Sequence, residues 1–171
     1  QVVDRHLLMV REDADPGVLP LWVGVYDSGT GHRLPVTDAQ GQPLGESVQL
    51  TQVRVGGPDY EAPKPGHPRH VSVGESIRLR GYDLPSAEAS PGDVIGLTLY
   101  WECLGPMKTS YTVFVHLLGP DGKMYGQQDS VPWQGRLPTT HWVAGEVISD
   151  EYAVPVSQDA PTGTYTPAVG M

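Results

Sequence analysis

Seven side chains between positions 125 and 142 supply the means to hold a sugar: Tyr125, Gln128, Asp129, Trp133, Thr139, His141 and Trp142. Flat aromatic rings cover the apolar faces of a pyranose, while carboxylate, amide and hydroxyl groups around them take its hydroxyls. Much of the set falls in one proline- and tryptophan-containing stretch, residues 131–145, so a single loop would carry it. Trp133, flanked by Pro132 and Gly135, is expected at the surface. Trp142 and Trp101 suit a different task, plugging a sandwich core as tryptophan often does, and that is the expectation for both.

Other chemistry is poorly supplied. A glycosidase needs two carboxylates facing each other across a cleft, and Asp129 with Asp150 is the best pair here. Both lie at strand ends, where acidic residues ordinarily cap turns or meet solvent. Ser130, His141 and Asp150 have the residue types of a hydrolase triad, but no nucleophile-elbow motif accompanies them. His116 shares a strand face with Phe114 and Leu118, which predicts a hydrogen-bonded, half-buried histidine. His141 has no second histidine at metal-ligand spacing, and the turn at Asp121 lacks the oxygen series of a calcium loop. Cys103 ends an apolar run (Leu97, Leu99, Trp101) with no cation nearby to lower its pKa, so a buried, inert thiol is expected. One cysteine excludes an internal disulfide. The residues predict no enzyme, no metal and no cofactor.

The elements that must position these groups read as strands. Strand signals mark Asp4 to Val10, Leu19 to Tyr26, Arg33 to Thr37, Val48 to Val55, Ser76 to Leu84, Val94 to Glu102, Tyr111 to Leu118, Met124 to Asp129, Glu146 to Val156 and Gly163 to Gly170. Turn chemistry separates them: Asp15-Pro16-Gly17, Asp27-Ser28-Gly29-Thr30-Gly31, Ser90-Pro91-Gly92-Asp93 and Gly119-Pro120-Asp121-Gly122. Residues 56–70 hold four prolines and three glycines, which deny ladder hydrogen bonds. They predict a linker carrying His67 and His70 in exposed positions. No window sustains a 3.6-residue period, so helix should be negligible. The fold class is all-β, an immunoglobulin-like or jelly-roll-like antiparallel sandwich.

Composition narrows the partners. Glycine (21) and proline (17) exceed a fifth of the 171 residues, roughly twice the usual share of about 12%, as many short strands joined by turns require. The formal charge of −9 is scattered, and only Arg78 and Arg80 sit close together, so no phosphate-binding stripe exists and nucleic acid is excluded. No stretch reaches the roughly 18 apolar residues of a membrane span, and no signal peptide is legible. A start at Gln1 rather than Met predicts an excised piece of a longer protein.

The two ends of the chain resemble each other. Residues 2–25 set over 148–171 without a gap give seven identities in 24 positions: Asp4/Asp150, Val10/Val156, Asp13/Asp159, Ala14/Ala160, Gly17/Gly163, Val23/Val169 and Gly24/Gly170. This predicts a tandem repeat. Residues 1–55 would close one sandwich module, 56–70 link, and 71–171 open the next without its final hairpin. Residues 2–55 would then complete the second module within one chain, or a domain-swapped homodimer would form.

The segments PGDVIGLTLYW (91–101), YTVFVHLLGPDG (111–122), QQDSVPWQG (127–135), PTTHWVAGEVISDEY (138–152) and APTGTY (160–165), with VGVYDSGTGHRLPV (23–36), resemble a β-sandwich module of large bacterial membrane proteins. Such modules are similar to the extracytoplasmic parts that accompany glycosyltransferases of the dolichyl-phosphate-mannose mannosyltransferase type. The resemblance implies an exported location, tethered through a membrane-spanning parent, with no catalysis and no membrane insertion by this piece. The function expected is a structural spacer or interaction domain. The alternative is a carbohydrate-binding module for a glycan or cell-surface polymer, serving an attached transferase.

Overall fold

A strand with one buried face needs a partner on each side and a second layer over it, and the chain divides according to whether it finds them. The computed structural model describes residues 3–14, 16–56 and 64–171. Asp15 of the first expected turn and residues 57–63 of the expected linker lie outside these. The chain forms two units, residues 1–56 and 57–171. It is all-β, with antiparallel sheets throughout and a single 3-10 turn at Thr139–His141 among the described residues.

The first unit is a ribbon. β1 (Gly17–Val23) pairs antiparallel with β4 (Val48–Val55), and β2 (Val36–Thr37) with β3 (Pro43–Gly45). The loop after Tyr26 is built on Asp27, whose carboxylate accepts the N–H groups of Gly29 (2.9 Å) and Thr30 (2.8 Å). Of the described ribbon residues only Gly17 is buried. The strand expected from Asp4 to Val10 does not form: residues 3–10 are exposed and unpaired within this unit. Without a neighbouring ladder the segment has nothing to hold it extended.

The second unit is a sandwich. Sheet I runs in the order β10 (Val147–Pro155), β7 (Val94–Cys103), β6 (Ile77–Asp83), β5 (His67–Val73). Sheet II runs β11 (Thr166–Gly170), β8 (Val113–Leu118), β9 (Met124–Ser130). Inward side chains alternate as the pleat demands: Leu97, Leu99 and Trp101 on β7, Val113, Val115 and Leu117 on β8, Ile148, Tyr152 and Val154 on β10. Trp101 is fully buried at the centre. β5 starts at His67, inside the expected linker. Pro68 is accommodated because β5 is an edge strand, and the register slips between Pro68 and Val71. His67 and His70 are exposed, as strand residues rather than loop residues, and His67 stacks on Tyr82 with ring centroids 4.8 Å apart.

The edges β10 and β9 close one side of the sandwich. The N–H of Ser157 donates to the carbonyl of Tyr125 (2.7 Å), and that of Ala153 to the Gln128 side-chain oxygen (2.6 Å). Gly126 makes the approach possible: a Cβ there would lie 2.5 Å from the Pro155 carbonyl oxygen. Gly126→Ala should therefore cost about 1–3 kcal/mol in urea unfolding, because backbone must give way. Gly96→Ala, where a Cβ meets nothing within 4 Å, should be neutral or stabilising by up to about 1 kcal/mol.

Candidate functional site

The loop from Val131 to Gly145 hangs between β9 and β10, and its shape is set by one buried carboxylate. Asp150 points inward from β10 and is 1% exposed. Its Oδ1 accepts the backbone N–H of Trp133 (3.0 Å) and its Oδ2 the hydroxyl of Tyr152 (2.6 Å). The indole N–H of Trp133 donates to the carbonyl of Ser149 (2.8 Å). Held at two points, Trp133 takes φ +56° and Gln134 φ +54°, a left-handed pair that bulky L residues adopt only under tertiary constraint. The loop turns back through Gly135, which donates to the Val131 carbonyl (2.7 Å), and Leu137, which donates to that of Pro132 (3.0 Å).

Burial drives the Asp150 carboxyl above its ordinary range, against the opposing hydrogen bonds from Tyr152 and Trp133. Tyr152 is pushed up by its own burial and by the neighbouring carboxylate. At the far side of sheet I, Tyr100 is pushed up to about 12, mainly by donating to Asp83 (2.6 Å).

The seven sugar-binding candidates separate. Thr139 is buried and ties loop to loop, accepting the N–H of Tyr111 (3.0 Å) and donating to the carbonyl of Thr109 (3.0 Å). Trp142 is buried, its indole N–H directed to the Leu137 carbonyl (3.2 Å). Gln128 caps the β10 edge. Asp129 stands on the outer face of sheet II beside His116, at 3.3 Å from Nε2. That contact lacks hydrogen-bond geometry, and among the described residues Nε2 has no hydrogen-bond partner, so His116 is half-buried as expected but its Nε2 is not hydrogen-bonded. Tyr125 packs edge-on against Tyr165 and donates to Asp121 (3.0 Å) over a shallow groove of about 300 Å³ that Pro155 and Val156 help line. His141 and Trp133 are half-buried on the loop, with His141 Nδ1 3.1 Å from the Thr140 hydroxyl.

The carboxylate pair and the triad are likewise dispersed. Asp129 faces outward while Asp150 is inside, so the two share no cleft. Ser130 donates to the Val131 carbonyl (2.8 Å), and both Asp150 oxygens are taken. Cys103 is buried, donates to the Gly105 carbonyl, and has its thiol pKa raised by burial. No cluster of three metal-ligating side chains occurs among the described residues, and no helix is long and apolar enough to cross a membrane.

One cleft lies where sequence patterns did not direct attention. Trp22 and Tyr26, 54% and 65% exposed, line a space of about 440 Å³ on the ribbon with Arg33 and Glu46. The signal available was the run of β-branched and aromatic residues ending at Tyr26, which predicts a strand but not that its aromatic side chains stay uncovered. In comparison with known proteins, no family model, curated protein or solved structure matches the chain.

Asp150 gives a pH test. A carboxyl whose folded pKa is raised binds its proton more tightly in the folded state, so its contribution falls as pH rises from the ordinary carboxylate range through the folded pKa. Asp150→Asn keeps an acceptor for Trp133 and a partner for Tyr152 but cannot ionise. Its stability relative to the parent should rise with pH across that window, by at most about 1.4 kcal/mol per unit. Asp150→Ala should lose about 3 kcal/mol at the acid end, since the Trp133 N–H and the buried Tyr152 hydroxyl are left unpaired, and the deficit should shrink as pH rises through the same window. Urea unfolding from pH 4 to 8 reads both.

Proposed function

We propose that the chain is a non-catalytic extracytoplasmic β-sandwich module, a structural spacer or interaction domain of a larger membrane-associated protein. One observation carries the reading: three of the polar groups best placed to serve a site, Gln128, Thr139 and Asp150, are spent on holding the fold. Gln128 caps an edge, Thr139 ties two loops, and Asp150 pins Trp133 and Tyr152. Groups engaged in this way are not free to converge on a substrate. The resemblance to modules that accompany dolichyl-phosphate-mannose-type glycosyltransferases, and the internal repeat, support a tethered, serially repeated role.

A second reading is favoured by the left-handed pair Trp133–Gln134. Strain of this kind, of order 1–3 kcal/mol per residue, collects at ligand sites, and here it leaves a half-exposed indole beside exposed Gln134 and Arg136. That arrangement would suit a carbohydrate-binding module for a glycan or cell-surface polymer.

A glycan array with the folded chain and with Trp133→Ala separates the two. The spacer reading predicts no binding above background for either protein. Binding that vanishes in Trp133→Ala would replace it with the carbohydrate reading.

A further inference from the structure

The two sheets of the sandwich are unequal, four strands facing three. On one side the edges β10 and β9 are sealed together; on the other, β5 and β11 end their sheets with no further strand among the described residues. The β5 side shows what the shortfall leaves open. Val71 stands in register with Leu79, and Leu79 with Trp101, so the three share the inner face of sheet I. Trp101 is fully buried and Leu79 half-buried, but Val71 is 51% exposed. The apolar row runs out from under sheet II before it reaches β5.

The ribbon has the complementary defect. β4 presents Val48, Leu50 and Val53 to solvent, and nothing on the ribbon is covered enough to form a core. The 146-residue offset between the chain ends says what belongs in the gap. It sets Pro20–Val23 of β1 on Thr166–Val169 of β11, and both are strands. β1 carries β4 on its flank and β11 carries β8. Taken on the edge of β11 that β8 leaves free, β4 would extend sheet II to the order β4, β11, β8, β9, with β4 over Val71.

We propose that β11 accepts β4 from a second copy of this chain, exchanged out of its pairing with β1. Because Val23 faces Val48 in the ribbon, the same register sets Val48 of one copy opposite Val169 of the other. Exchange keeps only part of the ladder, since β11 overlays Pro20–Val23 of the seven β1 residues that pair with β4 and its Pro167 has no N–H to donate. It adds burial, because the apolar face of β4 then covers Val71 and Leu79 instead of meeting water. It also covers the open edge of sheet II, and reciprocal exchange closes as a two-fold dimer. The inference rests on the repeat that also supports the spacer reading, but not on how the module is used.

The test mixes full-length chains carrying Val48→Cys with chains carrying Val169→Cys, oxidises them mildly, and maps the linked peptides by mass spectrometry. Cys103 is buried and stays out of the exchange. The proposal predicts a disulfide joining the two introduced thiols between chains. Its yield should be about tenfold above that with Gln52→Cys, which lies about 13 Å along the strand and beyond the roughly 7 Å reach of a disulfide. Sedimentation of the unsubstituted chain should give twice its 18.5 kDa mass, which keeps the proposal testable if a cysteine variant folds poorly. A monomer at all concentrations, or equal linking with Val48→Cys and with Gln52→Cys, would overturn it. None of these outcomes touches the spacer reading, which stands or falls on the glycan array.

Discussion

The sandwich is held shut where β10 meets β9: the N–H of Ser157 donates to the Tyr125 carbonyl and that of Ala153 to the side chain of Gln128. These are bonds between sheets rather than within them. They satisfy edge donors that would otherwise face water or recruit another strand, and they fix how far apart the sheets can sit on that side. Gly126 has to be small for the same reason. The loop that leaves β9 and returns into β10 starts from this seam, so its anchor points are set before its own residues contribute.

Asp150 then transmits the seam's geometry to the loop. A carboxylate in that position is expensive, as its raised pKa records, yet it satisfies both the Trp133 N–H and the Tyr152 hydroxyl inside the fold. The result is a loop whose two left-handed residues are over-determined by hydrogen bonds on either side. The opposite side of the sandwich has no such closure, and there Val71 remains in solvent on what is otherwise an inner face.

Much of the fold was legible in the sequence because alternation of apolar residues is a local property. β4 spans Val48–Val55 as its pattern predicts, and β7, β8, β9 and β10 depart from expectation by a residue or two. Patterns failed where the outcome depends on a neighbour. Residues 7–10 are an apolar run with no ladder, and His67 to His70 have a ladder despite Pro68, because an edge strand tolerates a missing donor. The site was less legible for the same reason. Gln128 offers the same amide to a sugar or to Ala153, which is 25 residues away, and Asp150 offers the same carboxylate to a substrate or to a buried N–H. Which one it meets is decided by the pairing of sheets, not by spacing along the chain.

One side of the sandwich is closed from within, and the other is proposed to close by accepting a further strand. Amide hydrogen exchange on the full chain, followed from low to high protein concentration, separates the two sides. The N–H groups of Ala153 and Ser157 should be protected at every concentration, while the β11 N–H groups that do not face β8 gain protection as the protein is concentrated. Protection at the free edge of β11 that is independent of concentration, or rapid exchange at Ala153 and Ser157, would rule this arrangement out.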